Sequence, residues 1–310
     1  MIRIYAAFVL LGIFWGSNFI YMKWAGDFIT PAQISLLRVL FGFAPIALLA
    51  WRRGLFRFAQ LRYLHHFAMM AGFTTAFSYY AMAQGTALLP SGIAGVLGAS
   101  PALFTSIASG IFLRHEPTNK TMMSGVLLGI VGIVLISRPW ASSGSDGAIS
   151  TVGVAWMLAG SMVFGLSYIY VRRYLSAARL PPLALVAWQM GLALLMLAVS
   201  TDLHGIGRIL QDSKATTGIV LGLGLLGTGL SFLLYYYLLD TLGAVAAAGA
   251  VYVTPAVALS IGWCVGERVG PLELLAVAMI FGSIALLELG RQAGAHVKPA
   301  SAPPTVGLSD

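Results

Sequence analysis

Several polar side chains stand inside otherwise apolar stretches of this chain, and their types suit binding rather than bond-breaking. Arg38 is a cation seven residues past Pro31, well within an apolar run. A charge at the centre of a bilayer costs about 2.5–3.5 kcal/mol even on insertion scales, so this one must face protein or reach a polar surface. It serves either structural pairing or capture of a solute carboxylate. Asn18 in "FWGSNFIYMKW" and Ser167 in "VFGLSYIYVRR" raise a similar choice. An amide or hydroxyl facing lipid is costly, so each must bond another helix or line a polar path. The rings beside them, Trp15, Phe19, Phe164 and Tyr168, suit an amphipathic or cationic solute.

Two tyrosine clusters extend the candidate path. "FSYYAMAQG" holds Tyr79 and Tyr80, and "SFLLYYYLL" holds Tyr235, Tyr236 and Tyr237. A buried phenol wants a hydrogen-bond partner, whereas tyrosines near helix ends are commonly interfacial anchors. Tyr79 and Tyr235 are assigned to the path, with Ser78, Gln84 and Ser231 behind them. Pro101 and Pro255 each remove a backbone donor inside an apolar run, which predicts a kink or a hinge. The small residues before them, "SGIAGVLGASP" and "AVAAAGAVYVTP", permit close helix packing.

Catalytic constellations are missing from the sequence. There is no HExxH, GxSxG or paired-aspartate arrangement, and His65 and His66 fall in a basic loop. The single cysteine, Cys264, has no Cys/His cluster around it, so neither a disulfide nor a metal site is expected. No cofactor is expected either. The rival classes are an intramembrane enzyme, which needs groups this chain lacks, and a receptor-like membrane protein.

The elements that must position these residues are set by composition. With 59% hydrophobic and 9% charged residues and a mean hydropathy of +0.88, the chain cannot coat a water-soluble globule of 310 residues. It belongs in a bilayer. Ten apolar stretches near spanning length are predicted, at 4–22, 32–51, 66–86, 91–113, 121–137, 152–171, 183–200, 217–238, 243–265 and 272–289. They read as helices, because continuous apolar runs lack the alternation of barrel strands. Lys23, Tyr21 and Trp24 stand where a cleavage site would need small residues, so the opening run reads as a span and not a leader.

The net charge of +8 carries no basic stripe with interleaved aromatics, so no nucleic-acid partner is expected. Its distribution instead predicts orientation. With the N-terminus inside, Arg3, Arg52, Arg53, Arg57, Arg62, Arg114, Lys120, Arg172, Arg173, Arg179, Arg291 and Lys298 are cytoplasmic. Only Lys23, Arg138, Arg208, Lys214 and Arg268 are then external, and this bias predicts both termini in the cytoplasm.

The chain also repeats. "VFGLSYIYVRR" matches "FWGSNFIYMKW" at an offset of 149, which sets Gly165 on Gly16, Ser167 on Asn18 and Arg172 on Lys23. Pro182 and Gln189 repeat the spacing of Pro31 and Arg38 at an offset of 151, and Thr254-Pro255 matches Ser100-Pro101 at 154. A five-helix unit is odd in number, so its second copy must enter the membrane from the opposite side. Inverted repeats of this kind are a recurring device of secondary transporters, and they occur in some channels. The expected architecture is all-α, ten transmembrane helices in two inverted five-helix repeats. Its boundaries are 1–138, an external linker 139–150, 151–290 and a disordered tail 291–310.

Ten spans, "WGSNF" in the first, an arginine in the second, and "SP...E" and "TP...GE" in the fourth and ninth resemble the EamA family of the drug/metabolite transporter superfamily. The resemblance covers about residues 4–290. It implies an inner-membrane carrier of small metabolites, often an exporter of amino acids or related compounds, with a central cavity between the halves. A multidrug exporter is the rival within transport. Small multidrug exporters of the same superfamily use a membrane-buried glutamate, and no carboxylate sits midway along the first or sixth span here. The expected partners are a small-molecule substrate and the lipid bilayer; the substrate's identity and the oligomeric state are not fixed by these residues.

Overall fold

The structure, a computed structural model, describes residues 2–112, 119–138, 149–175, 178, 180–235, 237–238, 241 and 249–296. The expected positions Arg114, Glu116, Arg179, Tyr236 and Lys298 lie outside these. The described residues are helical, without a β-strand. The principal helices are α1 (Ile2–Gly26), α2 (Pro31–Arg52), α3 (64–88), α4 (Ser91–Phe112), α5 (Lys120–Ser137), α6 (Thr151–Leu175), α7 (Pro182–Ser200), α8 (Ser213–Tyr235), α9 (Ala250–Cys264) and α10 (Pro271–His296).

Among the described residues, eight of these are long and apolar enough to cross a membrane, and α9 is a shorter apolar helix. The helix α3 has the length but not the apolarity. Thr74, Thr75, Ser78 and Tyr79 lower it, and all four are buried inside the protein, where lipid does not meet them. Lengths depart from the expected spans mainly at the ends. Most notably, α10 continues past the expected end at 289 to His296, taking up the start of the segment read as tail.

Local sequence chemistry fixes where several helices start. Thr30 and Gln33 form a reciprocal cap on α2, with Thr30 Oγ1 accepting from the Gln33 N–H at 3.3 Å and Gln33 Oε1 accepting from the Thr30 N–H at 3.1 Å. Gln33 Nε2 then donates to the carbonyls of Asp202 and His204 at 2.8 and 2.9 Å, fastening α2 to the α7–α8 connection. Asn119 caps α5 through Oδ1 and donates Nδ2 to the Gly290 carbonyl at 2.6 Å. At the other end of that pair Arg138 meets Glu273 at 2.6 Å, and between them Ser283 Oγ donates to the Gly125 carbonyl, also at 2.6 Å. The helices α5 and α10 are thus tied along their length.

The packing joins early and late helices throughout. The neighbours are α1 with α8 and α9, α2 with α7 and α8, α3 with α6 and α7, α4 with α6 and α9, and α5 with α10. A large apolar core including Phe19, Met22, Ile34, Leu97, Met157, Leu223 and Leu259 lies where most of these helices meet. Two smaller cores flank it, one between α2, α3 and α7, the other between α1, the end of α8 and the start of α9.

Candidate functional site

The site is built on two irregular helices. Residues Met70–Phe77 of α3 and Gly218–Leu230 of α8 wind as wide, five-residue-spaced turns. Such widening displaces backbone bonds and is frequent at functional positions. Hydroxyls take up the slack. Thr228 and Ser231 donate to carbonyls five residues back, Leu223 at 2.9 Å and Leu226 at 2.8 Å, and Ser78 does so to Phe73 at 3.2 Å.

Arg38 and Asn18 converge on one turn of α8. Arg38 Nε donates to Thr228 Oγ1 at 3.0 Å, and Asn18 Nδ2 donates to the neighbouring Gly227 carbonyl at 3.3 Å. Both side chains are buried, and Asn18 Oδ1 has no hydrogen-bond donor. Only glycine fits at 227, because a Cβ there would overlap Asn18 Oδ1. Gln189, which aligns with Arg38 at an offset of 151 in the sequence, makes a similar tie, Nε2 to Thr75 Oγ1 at 2.7 Å.

One ring covers the cation. The Arg38 guanidinium carbon lies 3.9 Å from the centroid of the Tyr79 ring. Tyr168 on α6 keeps 48% of its surface accessible. Phe164 meets Tyr168 edge-on at 5.7 Å, and Trp15 meets Tyr235 at 6.0 Å. Three contacts result: Arg38–Tyr79 between α2 and α3, Phe164–Tyr168 within α6, and Trp15–Tyr235 between α1 and α8.

The other selected residues make contacts of their own. Ser78 Oγ bonds the Phe73 carbonyl and the Gly160 carbonyl of α6, while Ser231 and Ser167 bond carbonyls of their own helices. Phe19 lies in the large apolar core against Gly95 and Gly98, and Gln84 is half-buried on α3. Pro101 stands at the start of a new helical segment after a break at Gly98–Ser100, and Pro255 in the first turn of the regular part of α9. Neither interrupts a continuous helix, because a missing N–H costs little in a first turn. The residues before them, Ser100 and Thr254, carry buried hydroxyls without a partner.

The glycines of the repeated motif have a packing reason. A Cβ on Gly16 would come within 2.8 Å of the Thr254 carbonyl, and one on Gly165 within 2.7 Å of the Pro101 carbonyl. The two motifs are thus where α1 and α6 cross the proline regions of α9 and α4.

Sequence reasoning missed Thr75, Thr228 and the work of Glu267. The spacing Thr75–Ser78 against Thr228–Ser231, at an offset of 153, carried the signal for the threonines. Glu267 accepts from the backbone N–H groups of Ser91 at 2.6 Å and Gly92 at 2.9 Å, capping α4 from the end of α9. No group of three or more His, Cys, Asp or Glu among the described residues could hold a metal ion.

A sequence model of the EamA-like transporter family matches residues 2–138 and 151–289. The chain is 26% identical over 309 residues to an "Uncharacterized inner membrane transporter YedA" of Escherichia coli (strain K12), covering 94% of this chain and 92% of that one. It is 25% identical to an "Uncharacterized transporter YdfC" of Bacillus subtilis (strain 168), covering 91% and 89%. A "Probable terminal-alkyne amino-acid exporter" of Streptantibioticus cattleyicolor is 26% identical, with 92% and 94% covered. One crystal structure with 17% identity superposes at a TM-score of 0.58 over 94% of this chain and 98% of its own, a likeness of fold alone.

Proposed function

The chain belongs to the EamA-like transporter family, and on that premise we propose that it is a secondary carrier working by alternating access. Its ten transmembrane helices form two inverted halves, 1–138 and 151–290, joined by the external linker 139–150. A small metabolite, an amino acid or related amphipathic solute, leaves the cell through a cavity between them. The carrier sits in the inner (plasma) membrane with both termini cytoplasmic.

Several observations support this reading. Exchanging α1–α5 for α6–α10 maps the helix neighbours onto themselves: α1 with α9 becomes α6 with α4, and α2 with α8 becomes α7 with α3. The ties Arg38–Thr228 and Gln189–Thr75 exchange in the same way. The basic residues on the connections favour this orientation, and one relative's name, an amino-acid exporter, favours the solute class and direction.

The observation that carries the proposal is the buried Arg38 of the first half, 3.0 Å from Thr228 Oγ1 of the second half and stacked on the Tyr79 ring. Carriers of this kind bind their solute at the interface of the halves near mid-membrane. Trp15, Asn18, Phe19, Ser78, Gln84, Phe164, Ser167 and Ser231 border or brace that path, and Pro101 and Pro255 serve as gates or hinges in α4 and α9. The test is a metabolite survey of cells lacking or overproducing the chain. Overproduction should lower one class of amphipathic amino acid inside the cell and raise it in the medium; unchanged profiles in both strains would sink the proposal.

A further inference from the structure

We propose that Arg38 is the residue that reads a carboxylate on the transported solute, a specificity-determining role that rests on the carrier reading above. The chain contains its own control. In the second half the tie from α7 to the widened turn of α3 is made by Gln189, a neutral donor, on Thr75. In the first half the tie from α2 to the widened turn of α8 is made by Arg38 on Thr228. One uncharged N–H is therefore enough to hold such a helix pair together. The charge on Arg38, and the four donors beyond Nε, exceed what the tie requires.

That surplus is not spent elsewhere. The ion pairs among the described residues join Arg138 to Glu273 and Arg291 to Glu288, and none reaches Arg38. Its two terminal nitrogens carry no hydrogen bond among the described residues, and neither is fully sealed from solvent. The Tyr79 ring lies against the guanidinium, and the hydroxyls of Tyr79 and Tyr168 likewise carry no hydrogen bond there. A buried guanidinium without a counter-charge is costly, and a planar carboxylate fits its free fork through two parallel bonds. The Tyr79 phenol, whose ring the guanidinium faces, offers a further donor. Asn18 holds the Gly227–Thr228 turn that anchors Nε.

The test measures thermal stabilisation of the purified full chain by a named panel: L-leucine, L-phenylalanine and L-propargylglycine, the amines lacking their carboxylates, and uridine. The proteins are the wild type, Arg38→Gln and Arg38→Lys. Arg38→Gln should fold, because it reproduces the donor found at Gln189. The wild type should bind at least one acid in preference to its amine. Arg38→Gln should bind that acid about 10- to 100-fold more weakly and lose the preference, with Arg38→Lys in between.

An Arg38→Gln protein with wild-type affinity for the acids would overturn the proposal, as would a wild type that binds amines or uridine and no acid. Those results leave the carrier reading intact. If no panel member stabilises the wild type and the metabolite survey is also flat, the carrier reading fails together with the proposal. Should Arg38→Gln not fold, Arg38→Lys supplies the measurement, because it keeps the charge and loses the planar fork: it should bind the preferred acid more weakly than the wild type does, and wild-type affinity for that acid would overturn the assignment.

Discussion

Asn18 spends its amide on the Gly227 carbonyl, which leaves Oδ1 sealed without a donor and no space for a side chain at 227. Gly227→Ala should therefore force the amide or the turn to move, at a cost of about 1–3 kcal/mol, read as a lower thermal midpoint in detergent. Gly26→Ala, where nothing lies within 4 Å, should leave the midpoint unchanged or raise it. The ties of α2 and α7 give a second pair. Thr228→Val should destabilise more than Thr75→Val, since it strands a charged donor and not a neutral one, by about 1.5–3 against 0.5–1.5 kcal/mol. Equal losses would mean that the charge carries no special burden. Asn18 and Arg38 were legible in the sequence because a polar group in an apolar run must have a use. Their partners were harder to see, since a carbonyl leaves no mark in sequence and Thr228 stands out only through the Thr-x-x-Ser spacing that it shares with Thr75.

Helices α4 and α9 cross where Gly92 lies against the Leu259 backbone and Gly95 against Ala258, and Glu267 closes that crossing by accepting two N–H groups at the start of α4. The Pro90 that precedes α4 offers no side-chain cap, so those donors depend on the carboxylate. Glu267→Ala should lower stability by about 1–3 kcal/mol in the same melt, whereas removing the exposed neighbour Arg268 should have little effect. A Glu267→Ala protein as stable as the wild type would show that the cap is dispensable. At this scale hydropathy made the helices legible, while their ends shifted with caps such as Thr30 and Asn119. The wide turns of α3 and α8 were not legible, because nothing in residue type alone separates them from an ordinary helical turn. The break before Pro101 was half legible: proline announced a disturbance, but the local backbone put it at Gly98–Ser100 and made Pro101 the first residue of the next helical segment.

For the whole molecule, the repeat seen in "WGSN" and "FGLS" gains a physical role, since Gly16 and Gly165 are where α1 and α6 let the proline regions of α9 and α4 come close. The path residues were legible only as separate suspects in the sequence. The contacts that pair Arg38 with Tyr79 and Trp15 with Tyr235 join distant helices, which no local pattern encodes. The central claim is that these residues serve a carrier, and counterflow in liposomes containing the purified chain tests it most directly. Vesicles preloaded with unlabelled L-leucine, L-phenylalanine or L-propargylglycine receive a trace of the labelled compound outside. A carrier gives transient, saturable uptake of at least one label that depends on the preload and is absent from empty vesicles. Uptake indifferent to the preload, or no uptake of any label above empty vesicles, would contradict the account.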